Sequence, residues 1–262
     1  MLSVVSKVFT AILNRKLYSW AENEEKISKE QAASHKGYSA IDQIFTLISM
    51  VKNKLESRRD GKIYVAFIDY KKAFDTVDLD KLWETLEKLK TSSKMVSILK
   101  AMYFLVQSCV KRDTNISDFF SCPQGVKQGC LLSPLFFSLH ISEVVDSVRK
   151  GGKHNIQLLP GHDEFFSLLF ADDIVLVSST PSGLQNQMNN LEKASKSLCL
   201  TVNLDKIKAK IFRKGGHISV GEKWLYNGAE IEVVNSYKYL SYTLTAKYYA
   251  QRQSNYEHEK EQ

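Results

Sequence analysis

Three aspartates stand where apolar stretches of the sequence end, and carboxylates in such places can do metal-dependent chemistry. Asp69 directly follows residues 63–68, which are apolar throughout and predict a central strand buried on both faces. Asp172 and Asp173 lie between two further apolar stretches, a pattern that predicts a hairpin with the carboxylate pair at its tip. If these strands are neighbours in one sheet, three carboxylates meet, and they repel one another unless cations lie among them. The pattern therefore indicates a site for Mg²⁺, which binds oxygen ligands together with substrate phosphates.

Two such ions would suit nucleotidyl transfer, because they polarise an α-phosphate, favour deprotonation of an attacking 3′-hydroxyl and stabilise departing pyrophosphate. Successive strand residues point to opposite faces, so Asp172 is expected to bind metal more directly than Asp173. The alternative is that the pair is a solvated turn, since aspartate is common in turns. The apolar stretches on both sides favour the metal site.

The rest of the sequence predicts an α+β chain that would position these carboxylates. Apolar residues at three- and four-residue spacing from Val5 to Trp20 predict a first helix. Ser39 and Asp42 form a capping box for a second helix. That helix is expected to bury Ile41, Ile44, Phe45, Ile48, Val51 and Leu55. Asp78 is expected to cap a third helix.

The remaining elements follow from similar patterns. In chain order they are a helix over about 93–106, a strand pair within 108–121, a helix from Ser133-Pro134 to about 151–152, the hairpin around Asp172, a helix over about 182–198, and strands at 208–212 and 231–234. Residues 248–262 are polar and charged and are expected to fray.

Composition and charge limit the classes of function. The 262-residue chain is 44% hydrophobic and 25% charged, as in ordinary globular proteins. Its net charge of +7 favours a polyanionic partner, although a basic protein without such a partner has the same charge. The four cysteines show no metal-ligand spacing, and neither a secretory leader nor a membrane span is expected. We therefore expect an intracellular protein, nuclear or cytoplasmic, without a membrane partner.

Five motifs, in order along the chain, resemble those of one enzyme family. Residues 67–75 (FIDYKKAFD) resemble polymerase motif A of LINE-type reverse transcriptases, which belong to non-LTR retrotransposons. Residues 128–135 (QGCLLSPL) resemble their motif B, and residues 170–173 (FADD) their motif C. Residues 203–206 (NLDK) resemble motif D, and Tyr239-Leu240 resembles the start of the primer grip.

The resemblance extends over about residues 1–245 and implies the fingers and palm of a right-hand polymerase, with an antiparallel palm sheet and helices on one face. The implied parts are a fingers segment (1–61), a first palm part with motif A (62–107), a fingers ribbon (108–121), a second palm part with motifs B, C, D and a partial primer grip (122–246), and a polar tail (247–262) with no thumb.

The resemblance implies an RNA-directed DNA polymerase, which adds dNTPs to a DNA primer on an RNA template with two Mg²⁺ ions, or Mn²⁺ in their place. The implied catalytic residues are Asp69, Asp172, Asp173 and Lys206, and the three aspartates are the implied metal ligands. The implied nucleotide-binding residues are Lys36, Tyr70, Ala73, Phe74, Gln128 and Gly129. Phe74 falls at the sugar gate that excludes a 2′-hydroxyl, unless it only packs in the core. Lys206 is the implied proton donor to pyrophosphate, although a lone lysine is usually solvated.

The sequence departs from the family in the fingers and in the primer grip. The fingers pattern Q-x-G-F-R-x-G-R-S-T reads QAASHKGYSA at residues 31–40, so His35 and Tyr38 replace its two arginines. Neither side chain provides a guanidinium fork for a triphosphate, and Lys36 replaces one only in part. Ser241 replaces the primer-grip glycine.

These departures keep two other readings open. The chain can be a fragment or a catalytically decayed, retrotransposon-derived protein that still binds nucleic acid. An RNA-copying polymerase on a related palm is disfavoured by Phe74.

Overall fold

The computed structural model describes residues 4–57, 61–104, 106–150, 156–157, 164–214 and 222–245. The helices in these ranges are α1 (Val4–Asn23), α2 (Ala40–Ser57), α3 (Leu79–Lys88), α4 (Ser93–Tyr103), α5 (Ser133–Lys150) and α6 (Pro181–Ser197), with a 3₁₀ turn at Ala32–Ser34. The strands are β1 (Lys62–Ile68), β2 (Gln107–Ser108), β3 (Lys111–Arg112), β4 (Asn115–Ile116), β5 (Phe120–Ser121), β6 (Ile156–Gln157), β7 (Glu164–Phe165), β8 (Ser167–Phe170), β9 (Asp173–Ser178), β10 (Lys208–Arg213), β11 (Leu225–Tyr226), β12 (Ala229–Glu230), β13 (Ser236–Tyr239) and β14 (Tyr242–Thr245). None of these helices is long and apolar enough to span a bilayer.

The central sheet is antiparallel and has the strand order β10-β1-β9-β8. Its inner strand β1 is buried from Ile63 to Ile68, which confirms the predicted strand covered on both faces. On one face, Phe67 belongs to a core that includes Leu47 of α2. On the other face, the ring of Tyr64 lies 5.7 Å from that of Trp224. The predicted α+β fold with an antiparallel sheet is therefore confirmed.

Residue contacts divide the chain into two compact units. Unit 1 comprises residues 1–28, 71–143 and 195–201, and unit 2 comprises residues 29–70, 144–194 and 202–262. The central sheet, α2 and the hairpins β11–β12 and β13–β14 belong to unit 2. Helices α1, α3 and α4 and the strand pairs β2–β5 and β3–β4 belong to unit 1. The predicted division into fingers and palm segments stays a prediction.

The predicted helix starts are confirmed. The backbone N–H of Ser39 donates to Oδ2 of Asp42 at 2.8 Å, and the N–H of Asp42 donates to Oγ of Ser39 at 3.3 Å. Asp78 caps α3 by accepting from the backbone N–H of Lys81 at 3.0 Å. Such caps bind the N–H groups that a helix start leaves without partners inside the helix.

Two sequence predictions are wrong, one about the buried face of α2 and one about a strand at residues 231–234. Ile41 and Phe45 of α2 are 76% and 71% exposed, because Leu47 and Met50, both fully buried, turn a different arc of the helix toward the sheet. Residues 231–234 form no strand; they meet the edge strand β10 in one bridge, between Val233 and Ala209. The chain then turns into β13, which pairs with β14 instead. The predicted helix end at 151–152 and the predicted polar tail (247–262) lie outside the described residues.

Candidate active site

Asp69 stands at the end of β1 and is held by the loop that carries Lys206. The carbonyl of Asp69 accepts from the backbone N–H of Asn203 at 2.8 Å. The loop then turns back, since the N–H of Lys206 donates to the carbonyl of Asn203 at 3.1 Å. As a result, Nζ of Lys206 lies 3.1 Å from Oδ2 of Asp69. The Lys206 side chain is 63% exposed, so this ion pair is open to solvent.

Asp172 and Asp173 occupy the tip of the β8–β9 hairpin, as predicted. Phe170 pairs with Asp173, so Ala171 and Asp172 form a two-residue turn. Ala171 has a φ of +55°, a left-handed conformation that is unfavourable for a residue with a side chain. The buried amide of Gln31 donates from Nε2 to the carbonyl of Ala171 and accepts at Oε1 from its N–H, both at 2.9 Å. Gln31 thus holds the turn that presents the carboxylates.

The strand register places Asp69 and the aspartate pair at the same end of the sheet. The last β1–β9 partners are Ile68 and Ile174, so Asp69 and Asp173 follow at the same level. Burial raises the pKa of Asp173 to about 6, and the charges of Asp172 and Asp69 add to this shift. Burial also raises the pKa of Asp172, and the charge of Asp69 contributes. The three aspartates therefore form one negatively charged cluster.

The charge of this cluster suits a divalent cation. Lys206 supplies one positive charge against the three carboxylates, so an excess of negative charge remains that a divalent ion would neutralise. No three His, Cys, Asp or Glu side chains in the described part of the chain surround one metal position. The aspartates have the oxygen donors that bind divalent cations, but their side chains do not surround one position in this structure.

Phe74 and Gln128 lie in unit 1, on two loops joined through their backbones. The N–H of Val126 donates to the carbonyl of Phe74 at 2.8 Å. Nε2 of Gln128 donates to Oδ1 of Asp75 at 2.8 Å. The half-buried ring of Phe74 lies 4.9 Å from that of Phe137 on α5, so Phe74 does have a packing role. Its role as a sugar gate stays a prediction.

Gly125 belongs to the same pair of loops, and motif comparison missed it. Its φ is +86°, and its N–H donates to the carbonyl of Val77 at 2.8 Å. A Cβ at this position would lie 2.6 Å from the backbone oxygen of Asp75, which leaves no room for a side chain. Gly129 also has a positive φ, +75°, but no atom lies within 4 Å of a Cβ built there. The Pro123-Gln124-Gly125 sequence signals a turn, yet nothing in it reveals the neighbouring Asp75 carbonyl.

Three other predicted nucleotide-binding residues take different positions. Tyr70 and Ala73 are each 2% exposed, so their side chains present little surface to a ligand. Lys36 is exposed in the segment after the 3₁₀ turn, beside Gly37 with its φ of +86°. Of the lysines predicted in the site, Lys206 is placed beside the carboxylate cluster, with its Nζ 3.1 Å from Oδ2 of Asp69.

Buried amides behind the hairpin were also missed. Gln31 is 0% exposed and forms a bridge with Leu169 in addition to holding Ala171. Gln43, 6% exposed, donates to the carbonyls of Glu30 and Leu169, both at 3.3 Å. A single buried amide in a polar stretch produces no hydrophobic periodicity. The available signal for Gln31 is the family's fingers pattern, which begins with this glutamine.

Solved structures of telomerase share this fold. Apo telomerase from Candida tropicalis, truncated from its C-terminal domain, superposes with a TM-score of 0.58 at 16% identity and covers 90% of this chain and 45% of its own. Telomerase from Candida albicans in complex with the TWJ fragment of telomeric RNA gives a TM-score of 0.56 at 17% identity, covering 87% of this chain and 37% of its own. These likenesses support the fingers-and-palm fold.

Sequence relatives are polyproteins and proteins of mobile elements. The retrovirus-related Pol polyprotein from the type-1 retrotransposable element R2 of Nasonia vitripennis is 31% identical over 147 residues, 56% of this chain. The transposon TX1 uncharacterized 149 kDa protein of Xenopus laevis is 30% identical over 156 residues, 59% of this chain. The matched regions are 14% and 12% of those two proteins, so the chain corresponds to a small part of either.

The family model described as reverse transcriptase (RNA-dependent DNA polymerase) matches residues 1–244. This range contains all five motifs and both loops described above. Together with the retrotransposon relatives, the match confirms the resemblance to reverse transcriptase domains of non-LTR retrotransposons. The chain therefore belongs to the reverse transcriptase family.

Proposed function

We propose that this chain catalyses RNA-directed DNA synthesis, adding dNTPs to the 3′-hydroxyl of a DNA primer on an RNA template. The observation that carries the proposal is the cluster of Asp69, Asp172 and Asp173 at one end of an antiparallel sheet, with Lys206 beside it. Membership of the reverse transcriptase family supports this chemistry. The complex of the Candida albicans telomerase with telomeric RNA supports an RNA partner.

In this proposal Asp69, Asp172 and Asp173 hold two Mg²⁺ ions, or Mn²⁺ in their place. When bound, these ions supply charge for the phosphates of the substrate and activate the primer hydroxyl. Burial and repulsion between the carboxylates raise the pKa values of Asp172 and Asp173. A cation bound beside them would offset both effects, so the cluster favours cation binding. The hydrogen bond to Asp69 raises the pKa of Lys206, which stays protonated at neutral pH and can donate a proton to pyrophosphate.

The proposed nucleotide contacts come from the motif A and motif B loops and from the fingers. Gln128 and Gly129 contact the incoming nucleotide, with Tyr70 and Ala73 shaping the adjoining backbone and Lys36 binding phosphate. Phe74 excludes the 2′-hydroxyl of a ribonucleotide by collision with its ring. Shortening Phe74 to Val should therefore raise the ratio of rNTP to dNTP insertion, and an unchanged ratio would leave Phe74 with its packing on Phe137 alone.

Primer extension on an RNA template with Mg²⁺ tests the proposal. Asp172→Asn keeps the shape of the side chain and removes its charge, so extension should fall on the order of a thousandfold. Asp146→Asn is the matched control, because Asp146 is an exposed carboxylate of α5 that pairs with Arg149. The proposal fails if the wild-type chain extends primers and Asp172→Asn extends them equally well.

A second candidate function is nucleic-acid binding without turnover. It is favoured by His35 and Tyr38, whose rings lie 5.8 Å apart where the family has two arginines. Binding of an RNA–DNA duplex with no extension under any metal condition would identify this second function. Rescue of extension by the double change His35→Arg and Tyr38→Arg would instead show that the fingers limit a competent site.

A further inference from the structure

Unit 1 contains an open cavity of about 780 Å³ that the polymerase chemistry does not use. It lies between α3, α4 and the Pro123-Gln124 segment. Its volume is within the range of cavities that bind ligands, about 300 to 1,000 Å³. All of its lining residues belong to unit 1, whereas the three catalytic aspartates belong to unit 2.

The lining of this cavity is acidic, although the chain as a whole carries a charge of +7. Asp78, Asp80, Glu84 and Glu87 line it, and Lys100 is the one basic residue among the lining residues. Lys100 pairs with Glu87 at 2.7 Å, and Lys81, which does not line the cavity, pairs with Glu84 at 3.0 Å. Four carboxylates thus meet two lysines, and an excess of negative charge remains. This charge repels the phosphates of nucleic acid and attracts a cation.

Aromatic rings stand beside these carboxylates. Trp83 and Tyr103, each 7% exposed, meet edge to face at 5.6 Å, and the Phe104 side chain is 75% exposed at the cavity. Tyr103 already makes one cation–π contact, because Nζ of Lys127 lies 4.9 Å from the centre of its ring. Carboxylates beside aromatic faces are the environment that a guanidinium prefers, since its planar fork pairs with carboxylates and stacks on rings.

We propose that this cavity binds an arginine-bearing segment of a protein partner. The guanidinium binds Asp80 and replaces the exposed Lys81 at Glu84, beside the small exposed part of Trp83, and an apolar neighbour in the same segment covers Phe104. The exposed Phe104 is the reason for a polypeptide ligand: a small polycation would satisfy the carboxylates but would leave this ring in water. The proposal is independent of polymerase activity.

Fluorescence anisotropy with a labelled peptide of alternating arginine and leucine tests the proposal. The double variant Asp80→Asn with Glu84→Gln should weaken binding about tenfold, because it removes two carboxylate contacts. Phe104→Ala should also weaken binding, and the exposure of this ring means that the fold does not depend on it. The double variant Glu24→Gln with Glu25→Gln removes two exposed charges of unit 1 away from the cavity and should change nothing.

Several results would overturn this assignment. One is equal binding by the wild type and the Asp80 and Glu84 variant, because attraction would then come from charge elsewhere. Another is spermine competing as tightly as the peptide, or Phe104→Ala binding normally, because the apolar contact would then have no role. Absence of peptide binding to the wild-type chain, with folding confirmed by circular dichroism, would also reject it.

Discussion

The carboxylate cluster and the motif B loop are positioned in two different ways. Asp69 follows β1 and Asp173 begins the neighbouring strand β9, in a sheet that is buried on both faces. A buried amide, Gln31, holds the turn between β8 and β9. Phe74 and Gln128 instead depend on two loops that join backbone to backbone. Regular strands position the three aspartates, whereas Phe74 and Gln128 depend on the close approach of Gly125 to the backbone of Asp75.

This difference decides which kind of substitution each region tolerates. A sheet distributes its stability over many side chains, so a single change near the carboxylates should loosen the hairpin without unfolding it. Two loops in backbone contact depend on a few positions, so one added methyl group can separate them. The changes below test this contrast, from the largest expected effect to the smallest.

Gly125→Ala should destabilise the chain most. Its Cβ would lie 2.6 Å from the backbone oxygen of Asp75, and alanine is unfavourable at a φ of +86°. We expect a loss of about 2 to 4 kcal/mol in the free energy of unfolding, from strain and overpacking together. Urea denaturation measures this loss. Gly129→Ala is the control, with a positive φ but open space, and should lose only about 1 kcal/mol. Equal losses would mean that loop contact adds nothing to the backbone strain.

The sequence predicts the features that depend on a regular hydrophobic pattern or on a hydrogen-bond partner nearby in the chain. Asp69 was found because β1 is apolar throughout, and the caps at Ser39 and Asp78 were found because each bonds within three residues. Gln31 was not recognised because its partner, Ala171, is 140 residues away. The exposure of Phe45 was not predicted either, since an apolar helix face can be wider than the surface it covers.

Gln31→Leu tests the other side of the comparison. Leucine fills a similar volume but leaves the N–H and carbonyl of Ala171 without their two bonds, which should cost about 1 to 3 kcal/mol. Hydrogen exchange should quicken at the Ala171 amide more than in β1. Gln43→Leu is the control, because Gln43 is buried nearby but bonds to Glu30 and Leu169 instead. If both variants quicken exchange at Ala171 equally, the two bonds from Gln31 do not hold the turn.

Lys210→Met probes a charged residue inside the sheet. Lys210 is 1% exposed in β10, donates from Nζ to the carbonyl of Asn235, and has a pKa lowered to about 8 by burial. An unfolded lysine keeps its proton to about pH 10.5, so the unfolded state binds more protons between these values and wild-type stability should rise with pH from 8 to 10. Methionine should remove this rise.

At pH 7 the same substitution should stabilise the chain by about 1 to 2 kcal/mol, because it removes the cost of burying the ammonium. Asn235 is exposed, so water can replace the lost donor at its carbonyl. The measurement is urea denaturation of both proteins at pH 7, 8, 9 and 10. The difference between the two free energies of unfolding at each pH cancels the titration of groups that both proteins share. A difference between the two proteins that does not vary with pH would contradict the assigned pKa.

Ser241→Gly should have the smallest effect, and it separates backbone strain from side-chain contact at the primer-grip hairpin. Leu240 and Ser241 form the turn between β13 and β14 with φ values of +45° and +68°, where the family has a glycine at the second position. The β11–β12 turn has the same conformation with Asn227 and Gly228, the residues that such turns favour. Glycine at position 241 should therefore raise the free energy of unfolding by about 0.5 to 1 kcal/mol, as relief of the left-handed strain exceeds the added chain entropy.

The reverse change, Gly228→Ser, should lower it by a similar amount, because no atom lies within 4 Å of a Cβ there and conformation alone is changed. Destabilisation by both Gly228→Ser and Ser241→Gly would contradict this expectation. The Ser241 side chain would then make a contact that outweighs the strain of its backbone. In that case serine in place of the family glycine would be a compensated change and not a defect of the hairpin.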